Sequence, residues 1–168
     1  MKSPREVDEL TATAYHEAGH AVIGYANGFG CYSVSVVSDD TSLGRYRSKP
    51  FEEALEPDCV RDPRTMRLTR KLIVVELAGF AAESRLTGAE NWEGAADDKR
   101  NAVHRCFNLR AHPDDVARLF AELLEQAKTA VGRRRKWRAI EILAAEVLRK
   151  KELEAEEIER LIAPVLHS

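Results

Sequence analysis

Apolar residues recur at helical spacing over the first part of the chain, and this pattern predicts one helix from Ser3 to Asn27. The repeating positions are Val7, Leu10, Ala14, Ala18, Ala21, Val22 and Tyr25. The stretch "SPRE" at 3–6 is typical of a helix start, and a glycine after an asparagine is typical of a helix end. Residues 14–25, which read "AYHEAGHAVIGY", would therefore lie on a single helix.

The pattern changes to alternation after this helix. The stretch "CYSVSVV" at 31–37 predicts a strand, "SDDTS" at 38–42 is typical of a turn, and "LGRYR" at 43–47 can return as a second strand. Together they predict a β-hairpin over 31–47.

Helical spacing returns in the rest of the chain. It predicts helices at about 64–86, 95–110, 113–131, 136–150 and 154–163. The predicted fold class is mainly α with a small β-hairpin. We expect a single domain over residues 1–168, with a core in 1–112 and a C-terminal helical part in 113–168.

Composition narrows the classes of partner. The chain has 168 residues, 44% of them hydrophobic, and a formal net charge of -2, which predicts neither a nucleic-acid partner nor an anionic membrane partner. The basic stretch "GRRRKWR" at 132–138 is interpreted as a solvated loop or helix end. No segment is apolar enough to predict a transmembrane helix. Three cysteines without a CxxC pair (Cys31, Cys59 and Cys106) favour reduced thiols and a cytoplasmic location.

The first helix carries the motif HExxH, formed by His16, Glu17 and His20. Two histidines four residues apart present their imidazoles on one helix face, where both can bind one zinc ion. The intervening glutamate lies beside such a metal and can act as a general base towards water. Composition alone would give the motif in roughly 2% of comparable chains, so the match by itself is suggestive.

The neighbours of the two histidines indicate that their face is covered. On a helical wheel the histidines lie opposite the apolar stripe, yet the adjacent residues are small or apolar rather than charged: Ala12, Thr13, Ile23 and Gly24. Gly19 costs helix stability, and we expect another backbone to approach closely there. The alternative is two partly buried histidines that are hydrogen-bonded to protein groups and bind no metal.

A catalytic zinc site needs a third protein ligand. Candidates downstream are Glu76, Glu83, Asp97, Asp98 and His104. Ala26 excludes the pattern HExxHxxGxxH. On the third predicted helix Asp98 lies at the edge of the apolar face, whereas Asp97 and His104 point towards solvent. Asp98 is therefore the preferred third ligand, and Glu83 is the alternative.

Several stretches together resemble the peptidase domain of the FtsH-type membrane proteases, peptidase family M41. Besides residues 14–25 they are "SVSVVSDDTSLGRYR" at 33–47, "VVELAGFAAESRLTG" at 74–88, "GAADDKRNAVH" at 94–104 and the helical segment at 137–162. The resemblance implies an FtsH peptidase-domain-like helical fold and one zinc ion per chain. It implies His16, His20 and Asp98 as the zinc ligands and Glu17 as the catalytic glutamate.

The chain departs from the family pattern in three respects. It contains no GxxxxGK[ST] motif, so we expect a stand-alone peptidase without the AAA+ ATPase module. Asp97 stands where the family usually has Asn, and Phe80 where it usually has Arg. Because the family forms six-membered rings, a homo-oligomer and a separate ATPase partner are both compatible with the resemblance.

The expected function is therefore that of a zinc-dependent metalloendopeptidase acting on unfolded proteins or peptides without its own ATPase. We expect the hairpin to offer an edge strand for substrate, with Val34, Val36, Gly44 and Tyr46 as substrate-binding residues. One alternative is a catalytically inactive zinc-binding module with a regulatory or scaffold role. The other is a helical interaction domain without a metal.

Overall fold

The structure is a computed structural model, and it describes residues 7–38, 44–49, 62–110 and 112–168. Six helices and three short strands make up this described part, which confirms the mainly α class with a small β element. The helices are α1 (Glu9–Ala26), α2 (Pro63–Thr87), α3 (Ala96–Leu109), α4 (Pro113–Gly132), α5 (Arg134–Lys150) and α6 (Ala155–His167). The strands are β1 (Cys31–Ser35), β2 (Arg45–Ser48) and β3 (Glu152–Glu154).

The first helix begins later than the sequence pattern predicts. Asp8 has an extended backbone, and its side chain accepts a hydrogen bond from the Thr11 N–H at 2.9 Å. This interaction caps the helix, so α1 begins at Glu9 and Val7 lies outside it. The prediction that the helix includes residues 7 and 8 was therefore wrong. Residues 3–6, where the predicted helix begins, lie outside the described part of the chain.

α1 and α2 pack closely together because α1 carries a glycine at their contact. A Cβ atom added to Gly19 would lie 2.6 Å from the carbonyl oxygen of Ala78 and 2.8 Å from the Cβ of Ala82. Both distances are shorter than a van der Waals contact, so only glycine fits there. The expected close approach of another backbone at Gly19 is confirmed, and α2 is the element that covers the histidine face.

The strands form one antiparallel sheet in the order β2-β1-β3. Val34 on β1 lies opposite Tyr46 on β2 and opposite Leu153 on β3. β3 was not predicted from the sequence because it has only three residues, and a single fully buried side chain, Leu153, fixes it to the core. Of the predicted turn at 38–42, residues 39–42 lie outside the described residues.

The third strand changes the expected role of β1. With neighbours on both sides, β1 is the central strand, and the Val36 N–H donates a hydrogen bond to the carbonyl of Lys151 at 2.9 Å. Val34 and Val36 are 0% and 3% exposed. Both side chains are thus buried, and within the described sheet the edge strand of the predicted hairpin is β2 rather than β1.

The buried apolar side chains of the N-terminal and C-terminal parts form one cluster. Ile23 and Leu77 belong to it together with Leu123, Ile140 and Ile162. No helix in the described ranges is both long and apolar enough to cross a lipid bilayer. Cys31 and Cys106 are free thiols, and Cys59 lies outside the described residues.

Candidate metal centre

Three side chains from two helices converge at one point beside α2. His16 and His20 lie one turn apart on α1 and are 7% and 5% exposed, and Asp98 lies in the first turn of α3. The Nε2 atoms of His16 and His20 are 3.0 and 3.2 Å from Oδ2 of Asp98. These three ligand atoms all lie within 4.8 Å of one another, and the group can hold a metal ion.

The second ring nitrogen of each histidine is bound to a fixed acceptor. Nδ1 of His16 lies 3.0 Å from Oε2 of Glu83, and Nδ1 of His20 lies 2.8 Å from the carbonyl oxygen of Val75. Because a carboxylate and a carbonyl only accept, each Nδ1 carries the proton and donates it. The Nε2 atom of each ring therefore faces Asp98, and once it carries no proton its lone pair can bind a metal.

Glu83, the alternative third ligand of the sequence analysis, lies on the far side of the His16 ring. Its Oε2 is at Nδ1 of His16, and its Oε1 accepts a hydrogen bond from the Asn91 side chain at 2.8 Å. Both Glu83 oxygens are therefore hydrogen-bonded outside the group formed by the two Nε2 atoms and Asp98. In this position Glu83 orients the His16 ring rather than completing the group.

The protein groups alone give the centre unusual acid–base properties. Burial lowers the pKa of His16, but the hydrogen bonds with Asp98 and Glu83 outweigh this and raise it to about 10. Burial raises the pKa of Asp98, but the His20 charge and the hydrogen bonds of His16 and His20 hold it well below its usual range. The arrangement therefore stabilises positive charge between the three side chains, where a metal cation would replace the protons.

The spacing and chemistry of the group fit zinc. Two ligands that are each 2.0–2.1 Å from a tetrahedral zinc ion lie roughly 3.4 Å apart, and the observed separations from Asp98 are 3.0 and 3.2 Å. Two imidazoles and one carboxylate are a donor set that zinc favours when one position stays open. The residues present thus fit a three-ligand zinc site.

A glycine of α2 lets both imidazoles reach this position. A Cβ atom added to Gly79 would overlap Nε2 of His20 and would lie 2.6 Å from Nε2 of His16. The sequence analysis missed Gly79, although a glycine within the apolar run at 72–82 was a signal that something approaches this turn closely.

Glu17 is buried beside the metal-ligand group, between α1 and the sheet. It is 8% exposed, and its carboxylate accepts a hydrogen bond from the Tyr46 backbone N–H. Burial raises the pKa of Glu17, and the charges of His20 and His16 partly offset this effect. Glu17 is not one of the three clustered side chains that can hold a metal ion.

β2 passes directly over this part of α1. The Tyr46 ring stacks on the His20 ring with a centroid distance of 5.6 Å and an interplanar angle of 18°. A Cβ atom added to Gly44 would lie 3.1 Å from Cγ of Glu17, so the chain at Gly44 runs against the side of α1 that carries Glu17. Of the four residues predicted to bind substrate, Gly44 and Tyr46 therefore lie next to Glu17 and His20.

The main chain of Tyr46 faces the open edge of the sheet. Because the Val36 N–H bonds to Lys151, the even-numbered residues of β1 direct their main chain towards β3. Successive residues of a strand direct their main-chain groups to opposite sides, so Ser33 and Ser35 pair with β2. Tyr46 lies opposite Val34 and therefore directs its N–H and carbonyl away from β1. The described part of the sheet thus exposes a β2 edge beside Glu17.

Phe80 has a packing role that explains its place in α2. Its ring is 1% exposed and stacks on Trp92 with a centroid distance of 3.6 Å and an interplanar angle of 16°. The ammonium of Lys99 also lies over the Trp92 ring, 4.8 Å from its centroid. Trp92 belongs to the segment between α2 and α3, so this stack holds the segment that leads to Asp98.

Replacing Phe80 with Ala is expected to reduce the free energy of unfolding by about 3–5 kcal/mol, the usual loss for a buried aromatic ring. The matched control is Phe107→Ala on α3, where the ring is 46% exposed and a loss below about 1 kcal/mol is expected. Urea unfolding followed by circular dichroism measures both. Equal losses in the two variants would contradict the proposed role of the stack.

The other candidate ligands lie outside the centre. Asp97 is exposed and forms an ion pair with Arg100 at 2.7 Å, and His104 is exposed, as the wheel predicts for both. Glu76 is held by Arg105 at 2.7 Å on α3. The extra negative charge of Asp97 is therefore directed to solvent and paired there, away from the metal-ligand group.

The chain matches no protein-family model and no curated protein. The fold and the centre nevertheless define a class: a mainly helical domain with a small sheet, in which two histidines of one helix and an aspartate of another form a group that can hold a metal ion.

Proposed function

We propose that this protein is a zinc-dependent metalloendopeptidase that cleaves peptide bonds in extended chains. The observation that carries the proposal is the convergence of the His16 and His20 Nε2 atoms on Asp98, with Glu17 buried beside them on the same helix. This is the donor set of a three-ligand zinc site together with a nearby carboxylate that is not a ligand.

His16, His20 and Asp98 would hold the ion, and Glu83 and the Val75 carbonyl would keep the two imidazoles in the binding tautomer. A zinc ion supplies Lewis acidity, which polarises a carbonyl and makes water a better nucleophile near neutral pH. The stretches that resemble the FtsH-type peptidases of family M41 support the same ligand assignment.

Glu17 would act as the proton carrier. Its burial raises its pKa, which makes the carboxylate a stronger base than an exposed glutamate. It would accept a proton from the attacking water and then donate that proton to the nitrogen of the leaving amine. A hydrogen bond from the Tyr46 N–H, which lowers the pKa of Glu17, would help to orient the carboxylate.

The β2 edge would hold the substrate. An extended peptide can add to an exposed edge by main-chain hydrogen bonds, which do not depend on its sequence. The Tyr46 carbonyl is directed to this edge, next to Glu17, so a bound peptide would pass the proton carrier. Only an extended chain fits this mode, which favours peptides and unfolded proteins, supplied either spontaneously or by a separate ATPase.

The proposal predicts that the purified protein binds one zinc ion per chain and cleaves unfolded casein in a zinc-dependent manner. A chelator should abolish cleavage, and added zinc should restore it. His20→Ala should lose both zinc and activity, because it removes a ligand, whereas the control His104→Ala changes an exposed histidine on α3 and should keep both.

Two results would contradict this function. One zinc ion per chain without cleavage of any unfolded substrate would favour a non-catalytic zinc-binding module with a regulatory or scaffold role. No bound metal in the wild type, measured by atomic emission after growth with zinc, would favour a helical interaction domain.

A further inference from the structure

A cavity lies between α2, α4 and the start of α5, and none of His16, His20 and Asp98 lines it. Its volume is about 720 Å³, within the range of 300–1,000 Å³ that is usual for small-molecule sites. Seven of its twelve lining residues carry a charge.

The charges that line this cavity do not balance. Five are positive and two are negative. Glu122 is paired with Arg70, and Glu125 lies 3.6 Å from Lys128, which is outside the lining. Within the described ranges this leaves four cationic side chains of the lining without an ion pair: Arg67, Lys71, Arg133 and Lys136. Two come from α2 and two from the junction of α4 and α5, so they face the cavity from two sides.

The start of α5 adds to the imbalance. Arg134, Arg135 and Lys136 occupy its first turn, which contains no acidic residue, and no side chain caps it. The dipole of a helix favours negative charge at its N-terminus, so this sequence is unfavourable for the helix by itself. Burial and the nearby Arg133 charge lower the pKa of Lys136. A bound anion would stabilise the start of α5 and would favour the charged form of Lys136.

We propose that this cavity binds a small polyanion carrying two or more phosphate or carboxylate groups. Guanidinium groups form paired hydrogen bonds with phosphates and carboxylates, and the cations from α2 and from α5 can contact separate anionic groups of one ligand. Of the basic stretch at 132–138, interpreted from the sequence as solvated, Arg133 and Lys136 would line this site. This inference does not depend on the chemistry of the metal centre.

Titration calorimetry of the full chain with tripolyphosphate and, separately, with citrate tests the proposal and distinguishes phosphate from carboxylate ligands. The double variant Arg133→Gln/Lys136→Gln should weaken binding of the preferred anion by roughly tenfold or more. The control Arg134→Gln/Arg135→Gln removes the same charge from the same turn, at exposed positions outside the lining, and should change affinity by less than about threefold.

Three outcomes would overturn the proposal. The first is that neither anion binds. The second is an equal loss of affinity in the two double variants, which would mean general attraction of anions to a basic surface. The third is unchanged affinity in Arg67→Gln/Lys71→Gln, which alters the α2 side of the cavity. Circular dichroism of each variant checks that the fold is intact.

Discussion

Replacing Glu17 with Gln is expected to lower casein cleavage by about 10²–10⁴-fold while the protein still binds one zinc ion. Glutamine has nearly the same size as glutamate and can still accept the hydrogen bond from the Tyr46 N–H, but it cannot take a proton from water. Because Glu17 is outside the group of metal ligands, the substitution should separate catalysis from metal binding. Initial rates and metal content are measured on the same preparation.

The matched control is Glu9→Gln, an exposed position in the first turn of the same helix, which should retain full activity. Retained cleavage in Glu17→Gln would show that another group carries the proton. Loss of zinc together with activity would assign Glu17 a structural role in the centre instead.

Replacing Gly79 with Ala is expected to weaken zinc binding by about 100-fold or more without removing any ligand. The added Cβ would overlap Nε2 of His20 and lie 2.6 Å from Nε2 of His16, so the imidazoles could no longer point at Asp98. Substitutions that only disturb the orientation of a ligand commonly cost 10–100-fold, and this one displaces two ligands at once. Competition with a chromophoric chelator measures the affinity.

The control for adding a methyl group to a helical glycine is Gly132→Ala. There the nearest atom is the end of the flexible Arg85 side chain at 3.2 Å, and zinc affinity should not change. Far-UV circular dichroism should show the same helix content in both variants. Wild-type affinity in a folded Gly79→Ala protein would mean that the histidines bind metal in another orientation.

The position of Asp98 illustrates what helical periodicity can predict. Side chains on one helix face recur every three to four residues, so the apolar residues of α3 already indicated that Asp98 faces inward and that Asp97 and His104 do not. Gly19 gave a similar local signal, because a glycine within a helix indicates a close contact even when the contacting element is unknown.

Helical periodicity did not predict the roles of Glu83 and Gly79 or the presence of β3. Nothing in the sequence spacing distinguishes a carboxylate at Nε2 of His16 from one at Nδ1, because both nitrogens belong to the same ring. The three-residue strand β3 makes β1 a central strand and so moves the open edge to β2. The cationic cavity likewise depends on the packing of α2 against α4 and α5, which are distant in sequence.

The sequence by itself determined the helix that carries His16, Glu17 and His20, the inward face of α3 with Asp98, and the mainly helical class. These features follow from interactions between residues within a few positions of each other. Only the tertiary structure decided which atom of each histidine faces Asp98, which strand edge lies beside Glu17, and which cations face one another across the cavity. Those features depend on how the whole core packs, and packing brings together residues that no local pattern relates.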